Sequence, residues 1–430
     1  MNLFKTIYWF IVNTSYSLVF SIFPNYLKFK LRSILNRLYK TSPYYKKIII
    51  DSGGVDAVLN NWGNFPLLTK NIIRSQGENI YSICIDKEKF VWLNTGGSTG
   101  NPLSFPFYRP RYAPQIENIA QYKLYRMMGY KRGDMIVAID GRRPTENDIK
   151  NNIYWGLNNN TFPFGKFHYS TMYLNNDTII YYVNSLNSIK PQIVRGYPSG
   201  LVTLSLLIKQ NNLSLSFIPK GIYLTSENYS EEMVKIISSV FKCPIYGQYG
   251  HTESSVFAYR LPDSEKYYCL PLYGYTEILN ENDQPCKIGE IGEIVVTGFS
   301  NYALPFIRYK TGDLAEYGGV KKDGTVILNK LLGRSVDFLY NSKKEKIYLV
   351  GFIFGAHLHA FDVIDQWQLE QDTYGVVKMK IVKGIEYRDV DENELNLFFL
   401  KADFKLDITY VNQIPKTIRG KQQFLIQKLI

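Results

Sequence analysis

The residue types best suited to chemistry gather in five short segments. Asn94-Thr95-Gly96-Gly97-Ser98-Thr99-Gly100-Asn101-Pro102 follows a short apolar stretch. Its glycines let backbone N–H groups approach a phosphate, and its hydroxyls add further donors. It is not a Walker loop, because G-x-x-x-x-G-K-[ST] is absent, and a flexible surface turn is the plain alternative. Tyr249-Gly250-His251-Thr252-Glu253 sets a hydroxyl one residue from a carboxylate. Such a pair can hold a phosphate together with Mg²⁺, which prefers oxygen ligands; a helix cap would use the same two residues. Tyr309-Lys310-Thr311-Gly312-Asp313 offers a carboxylate able to accept both hydroxyls of a ribose, or simply an ordinary turn. Gly333-Arg334-Ser335-Val336-Asp337 and Pro415-Lys416-Thr417-Ile418-Arg419-Gly420-Lys421 complete the set. A lysine so near the C-terminus supplies a mobile ammonium for developing negative charge, although terminal basic clusters are commonly solvated faces.

The first segment also fits the G-x-S-x-G elbow of serine hydrolases through Gly96, Ser98 and Gly100. That elbow must pass straight from a strand into a helix, and Pro102, Pro106 and Pro110 oppose a helix there. A triad would also need His357 or His359 with an acid such as Asp313. The elbow is the weaker reading.

The elements that must position these segments read as α/β. Residues 30–50 read as an amphipathic helix ending near Ser42-Pro43. Short apolar strands are expected at Val91–Leu93, Met135–Ile139, Ile222–Leu224 and Ile245–Tyr246. Helices are expected at Leu201–Lys209, entered through Pro198-Ser199, and at Glu231–Phe241. This alternation implies mostly parallel pairing. From Tyr273 to Ile327, short strands separated by Gly/Asp turns predict an added antiparallel β section. A charged turn at Asn341–Lys346 precedes strands expected near Val376–Val382 and Glu394–Phe399. The composition places a domain boundary at 333–337.

With 430 residues, 45% apolar and 20% charged, the chain is globular, of two or three domains. Four scattered cysteines without a C-x-x-C pair argue against a disulfide scaffold or zinc cluster and fit a reducing compartment. The net charge of +12 invites an anionic partner, but the basic residues are dispersed, so no nucleic acid is expected. No stretch reaches the roughly 20 uninterrupted apolar residues of a membrane span. Residues 7–23 are the most apolar stretch, interrupted by Asn13, Thr14, Ser15 and Ser17 and lacking a small-residue cleavage site. They read as a buried helix, with weak peripheral membrane association as the alternative, Lys28, Lys30 and Arg32 lying beside it.

In order and spacing, Thr95–Pro102, Tyr249–Glu253, Thr311–Asp313, Gly333–Asp337 and Pro415–Lys421 together resemble the adenylate-forming ligases (acyl-CoA synthetases, peptide-synthetase adenylation domains, luciferases). Ser42–Lys46, Pro66–Lys70, Gly196–Ser199 and Thr225-Ser226-Glu227 look most like the phenylacetate–coenzyme A ligase family, in its capsular-polysaccharide biosynthesis branch. The resemblance covers residues 30–430.

It implies a large N-terminal α/β domain, 1–333, with the antiparallel section added and 1–30 as an apolar extension. A small mobile α+β lid, 334–430, would carry the catalytic Lys421. The implied reaction joins a small carboxylic acid to ATP with Mg²⁺, giving an acyl-adenylate, then passes the acyl group to coenzyme A or an amine. By the same resemblance, Thr95, Gly97, Ser98, Thr99 and Gly100 would grip the leaving phosphates. Thr252 would touch the α-phosphate and Glu253 would hold Mg²⁺; Ser226, Glu227, Tyr249 and Gly250 would line the nucleotide, and Asp313 would bind the ribose near Arg334. Val336 and Asp337 would form the hinge. The sequence departs from the pattern at Val336, usually Asp, and at Asn101, where many relatives carry Lys. A cytoplasmic protein is expected, with the inner membrane face and a homodimer as further expectations. Val336 and the apolar N-terminus motivate one alternative: a catalytically degenerate scaffold at a membrane-associated polysaccharide assembly site. Tyr197, Tyr223, His251 and the aromatic-rich Asn151–Tyr173 are candidates for the acid pocket or for core.

Overall fold

The computed structural model describes residues 26–95, 103–111, 113, 115–159, 161–334, 338–349, 352–353, 358–384, 386–415 and 422–429. The expected apolar helix at 7–23 lies outside them, as does the boundary segment Ser335–Asp337. The chain forms two compact units. One comprises the described part of Met1–Tyr125 with Gln248–Leu331, the other Arg126–Gly247 with the described part of Leu332–Ile430.

The first unit opens on helices. The 30–50 pattern is two of them, Tyr26–Thr41 and Pro43–Asp51, because proline suits the first helical position. Ser42 caps the second helix through the Tyr45 N–H and donates its own hydroxyl to the Ile80 carbonyl. Val91–Asn94 is a strand as expected, but among the described residues it pairs only with Ser104–Phe107, and Val91 and Trp92 are exposed. The antiparallel section follows the order Gly274–Leu279, Ile291–Gly298, Tyr309–Val320, Val326–Arg334, Tyr267–Cys269, Phe257–Arg260. Inside this unit, Arg308 is buried against Glu277, with Nη2 3.1 Å from Oε1 and Nε 3.2 Å from Oε2. The guanidinium also donates to the Gly63 and Phe65 carbonyls, and Trp62 Nε1 donates to Glu277.

The second unit carries a parallel run in the order 245–247 (the start of strand Ile245–Gly250), Gly221–Leu224, Ile193–Gly196, Ile136–Asp140, Phe167–Ser170, edged by the antiparallel Trp155–Leu157. A parallel sheet needs cover on its faces. Helices Ile179–Ile189, Pro198–Gln210 and Glu231–Phe241 provide it, burying Val137, Ile139, Val194, Ile222 and Leu224 against Leu201, Leu204, Ile237 and Phe241. Each such side chain contributes about 1.5–3 kcal/mol on full burial.

The C-terminal stretch has its own sheet, in the order Lys405–Tyr410, Val376–Lys383, Ile364–Thr373, Leu425–Gln427, and its own apolar cluster around Leu369, Met379, Leu395 and Phe399. Here one expectation fails. Glu394–Phe399 is not a strand but part of helix Asp389–Lys401. Leu395 and Phe399, four residues apart, are both fully buried, so helical spacing overrides the apparent alternation. The Asp391 carboxylate accepts the Arg388 N–H at 2.8 Å, and three acidic residues fill the first turn, where the helix dipole favours them.

Candidate active site

In the first unit, the second and third sequence segments come together. Strand Ile245–Gly250 ends at the glycine; a Cβ there would meet Gln248 Nε2 at 2.9 Å and the Val256 carbonyl oxygen at 3.1 Å, which keeps the position small. A tight turn follows, closed by the Ser254 N–H on the His251 carbonyl, and the next element is strand Phe257–Arg260. No helix starts at Thr252-Glu253, so these residues are not a cap.

The partner segment is not a simple turn either. Thr311-Gly312-Asp313 sits inside strand Tyr309–Val320 as a bulge: Lys310 pairs with Val295 and Leu314 with Glu293, leaving all three residues opposite Ile294. Gly312 adopts φ 79°, a left-handed conformation favouring glycine. The Thr311 hydroxyl donates to the Ile294 carbonyl and accepts the Asp313 N–H, and the Gly312 N–H donates to Glu293. Bulges of this kind re-aim a side chain.

The result is a compact polar cluster. The Tyr249 hydroxyl donates to Asp313 Oδ2 at 2.7 Å. The Tyr309 hydroxyl donates to Glu253 Oε1 at 3.1 Å, and His251 Nδ1 lies 3.3 Å from Oε2 without an aligned hydrogen bond. The imidazole stands edge-on to the rings of Tyr249 and Tyr309. Glu253 is 5% exposed. Burial alone would raise its carboxyl, but the neighbouring His251, the local backbone N–H and the Lys70 charge outweigh that and hold it at about 2. It is therefore a buried, ionised carboxylate. Burial, and then the adjacent Asp313 charge, push the Tyr249 phenol well above its ordinary value, so it remains a donor.

Among the described residues, no group of three or more His, Cys, Asp or Glu could hold a metal ion. One ionised carboxylate is nonetheless what Mg²⁺ uses when phosphates and water complete its octahedron. Glu253 fits that role.

The remaining expected residues lie as follows. Thr95 is buried at the loop base, its Oγ1 accepting the Leu103 N–H and its own N–H donating to the Leu103 carbonyl, both at 2.9 Å. Gly97, Ser98, Thr99 and Gly100 lie outside the described residues, as do Val336, Asp337 and Lys421. Arg334 ends strand Val326–Arg334. In the second unit, Ser226 has φ 73° and its Oγ is 3.4 Å from Thr225 Oγ1. Glu227 takes a role the sequence did not suggest. Its Oε2 accepts the Ser199 N–H in the first turn of helix Pro198–Gln210, and its Oε1 accepts the Gln422 N–H. For the hydrolase alternative, Ser98 and His357 are not described, Asp313 accepts from Tyr249, and His359 Nδ1 lies 2.8 Å from Asp391.

Sequence reasoning missed the Tyr309–Glu253 bond and the part played by Lys70. The segment before Lys70 joins this strand through Leu68, which is stitched to both neighbours of Tyr309: its N–H donates to the Arg308 carbonyl, and its carbonyl accepts the Lys310 N–H. In the aromatic-rich stretch, Tyr154 and Tyr169 pack with Tyr182 in the core, and Tyr223 is fully buried.

The fold is that of the adenylate-forming ligases. The chain superposes on 2-hydroxyisobutyryl-CoA ligase, captured in the postadenylation state with 2-HIB-AMP, with TM-score 0.70 at 17% identity, covering 94% of this chain and 89% of that one. It also superposes on the anthranilate CoA ligase AuaEII in complex with anthranoyl-AMP, with TM-score 0.50 at 15% identity, covering 86% and 75%. In sequence, Protein CapK of Staphylococcus aureus is 26% identical over 419 residues, spanning 93% of this chain and 88% of the relative. No family model matches the chain.

Proposed function

We propose that the chain is an ATP- and Mg²⁺-dependent ligase that activates a small carboxylic acid as its acyl-adenylate. The acyl group then passes to coenzyme A or to an amine, in the biosynthesis of a cell-surface polysaccharide. The observation that carries the reading is the buried Glu253 carboxylate, kept ionised beside the Tyr249–Asp313 pair within a ligase fold. The similarity to CapK supports the capsule assignment, and the phenylacetate–coenzyme A ligase family is what the resemblance of the sequence motifs implies.

In this reading the acid carboxylate attacks the α-phosphorus of ATP in line, and pyrophosphate leaves. Such chemistry needs positioning and charge on developing oxyanions rather than a protein nucleophile. Thr95, Gly97, Ser98, Thr99 and Gly100 hold the departing phosphates. Thr252 contacts the α-phosphate, Asp313 accepts the ribose hydroxyls with Tyr249 fixing its carboxylate, and Arg334 lies near the ribose. Ser226, Glu227 and Gly250 line the nucleotide. Glu253 would hold Mg²⁺, which neutralises phosphate charge when bound. Lys421 bridges the acid and the α-phosphate, and a lid pivoting at Val336-Asp337 carries it.

Pyrophosphate exchange across a panel of aryl, amino and uronic acids tests the reading. One acid should support exchange, and Lys421→Ala and Glu253→Gln should each cost about 10²–10³ in rate, the usual worth of a lost transition-state contact. Exchange that survives both substitutions would remove these residues from the chemistry.

A further inference from the structure

Within the second unit, a cleft of about 70 Å³ lies between helices Pro198–Gln210 and Glu231–Phe241 and residues of the C-terminal stretch. Val202, Leu206, Met233, Phe361, Trp367 and Phe424 make its walls apolar. Its charged groups are of one sign. Asp365 and Glu232 line it, and among the described residues no Lys, Arg or His does, although the whole chain carries a net charge of +12.

Two of the polar groups are unusual. Ser199 is only 4% exposed, and its Oγ is buried without a hydrogen-bond partner among the described residues. Leaving such a group unsatisfied is costly, so buried hydroxyls normally have partners. Asp365 makes a single hydrogen bond, from Gln210 Nε2 at 3.2 Å, and no cation pairs with it among the described residues. Burial raises its carboxyl above the ordinary value, with only the Gln210 bond opposing. A half-buried carboxylate facing an apolar cleft is completed by a cation that brings its own apolar body.

We propose that this cleft is a binding site for a small primary amine, with the ammonium on Asp365, the alkyl or aryl body against the apolar walls, and a donor shared with Ser199 Oγ. A phosphate-bearing ligand is disfavoured, because among the described residues the lining offers negative charge and no basic side chain. The site stands apart from the adenylation reading, since it concerns binding without ATP.

The test is a ligand-observed NMR titration of the full chain with three matched probes: n-butylamine, n-butanol and butyrate. The amine should bind at least ~10-fold more tightly than the alcohol, as a hydrogen bond to a charged group implies, and butyrate should not bind. Asp365→Asn, nearly isosteric, should bring the amine down to the alcohol's affinity. Ser199→Ala should weaken the amine only a few-fold. Circular dichroism melts would establish that both variants fold. An amine bound no better than the alcohol, or bound equally well by a folded Asp365→Asn, overturns the proposal.

Discussion

Tyr309→Phe is the most incisive perturbation of the polar cluster, because it removes one oxygen atom and little else. The ring is fully buried, edge-on to Phe306 at 4.9 Å between centroids and to His251 at 6.5 Å, and phenylalanine preserves those contacts. What disappears is the hydroxyl 3.1 Å from Glu253 Oε1. A hydrogen bond to a charged group is worth about 1.5–3 kcal/mol, and the carboxylate left behind is buried and ionised. Oxygen ligands that lose an outer partner lose about 10–100-fold in metal affinity. Pyrophosphate exchange measured against Mg²⁺ should therefore show half-saturation displaced upward by that factor, with the plateau rate nearly restored at high Mg²⁺. Mn²⁺ binding followed by electron paramagnetic resonance should shift in parallel, giving a readout independent of turnover. A folded variant with unchanged metal dependence by both measurements would refute the idea that Tyr309 sets the Glu253 carboxylate.

Arg308→Ala should destabilise the fold by about 3–5 kcal/mol, since it strands the largely buried Glu277 carboxylate, and urea denaturation would show it. The double variant Arg308→Met/Glu277→Gln should recover part of that loss. Thiol labelling at pH 8 should modify Cys84 quickly and the other three cysteines slowly. Cys84 is exposed, whereas burial pushes the thiols of Cys243 and Cys269 up to about 12 and also raises that of Cys286. Mass spectrometry that found Cys243 or Cys269 labelled as fast as Cys84 would contradict that burial.

What the sequence made legible was whatever local spacing determines. Strand Ile136–Asp140 and helices Pro198–Gln210 and Glu231–Phe241 follow from an apolar run, a proline at a helix entry and a regular apolar stripe. Glu394–Phe399 misled because Leu395, Leu397 and Phe399 also alternate, and only the tertiary burial of Leu395 and Phe399 decides for a helix. The site divides similarly. Glu253 and Asp313 stand out as carboxylates in short polar turns, but a hydroxyl 56 residues away that orients one of them has no local signature. Nor does Glu227, whose two backbone donors, Ser199 and Gln422, come from distant parts of the chain.

The bulge at Thr311-Gly312-Asp313 makes chain length, as much as residue identity, a determinant of this site. It adds two residues to one strand, an even number, so inward and outward positions stay in phase on both sides of it. Deleting Gly312 alone would break that parity and swing the fully buried Ala315 toward solvent. Deleting Thr311 and Gly312 together would restore a flat ladder with its core intact, and the carboxylate would lose its display while the sheet survived.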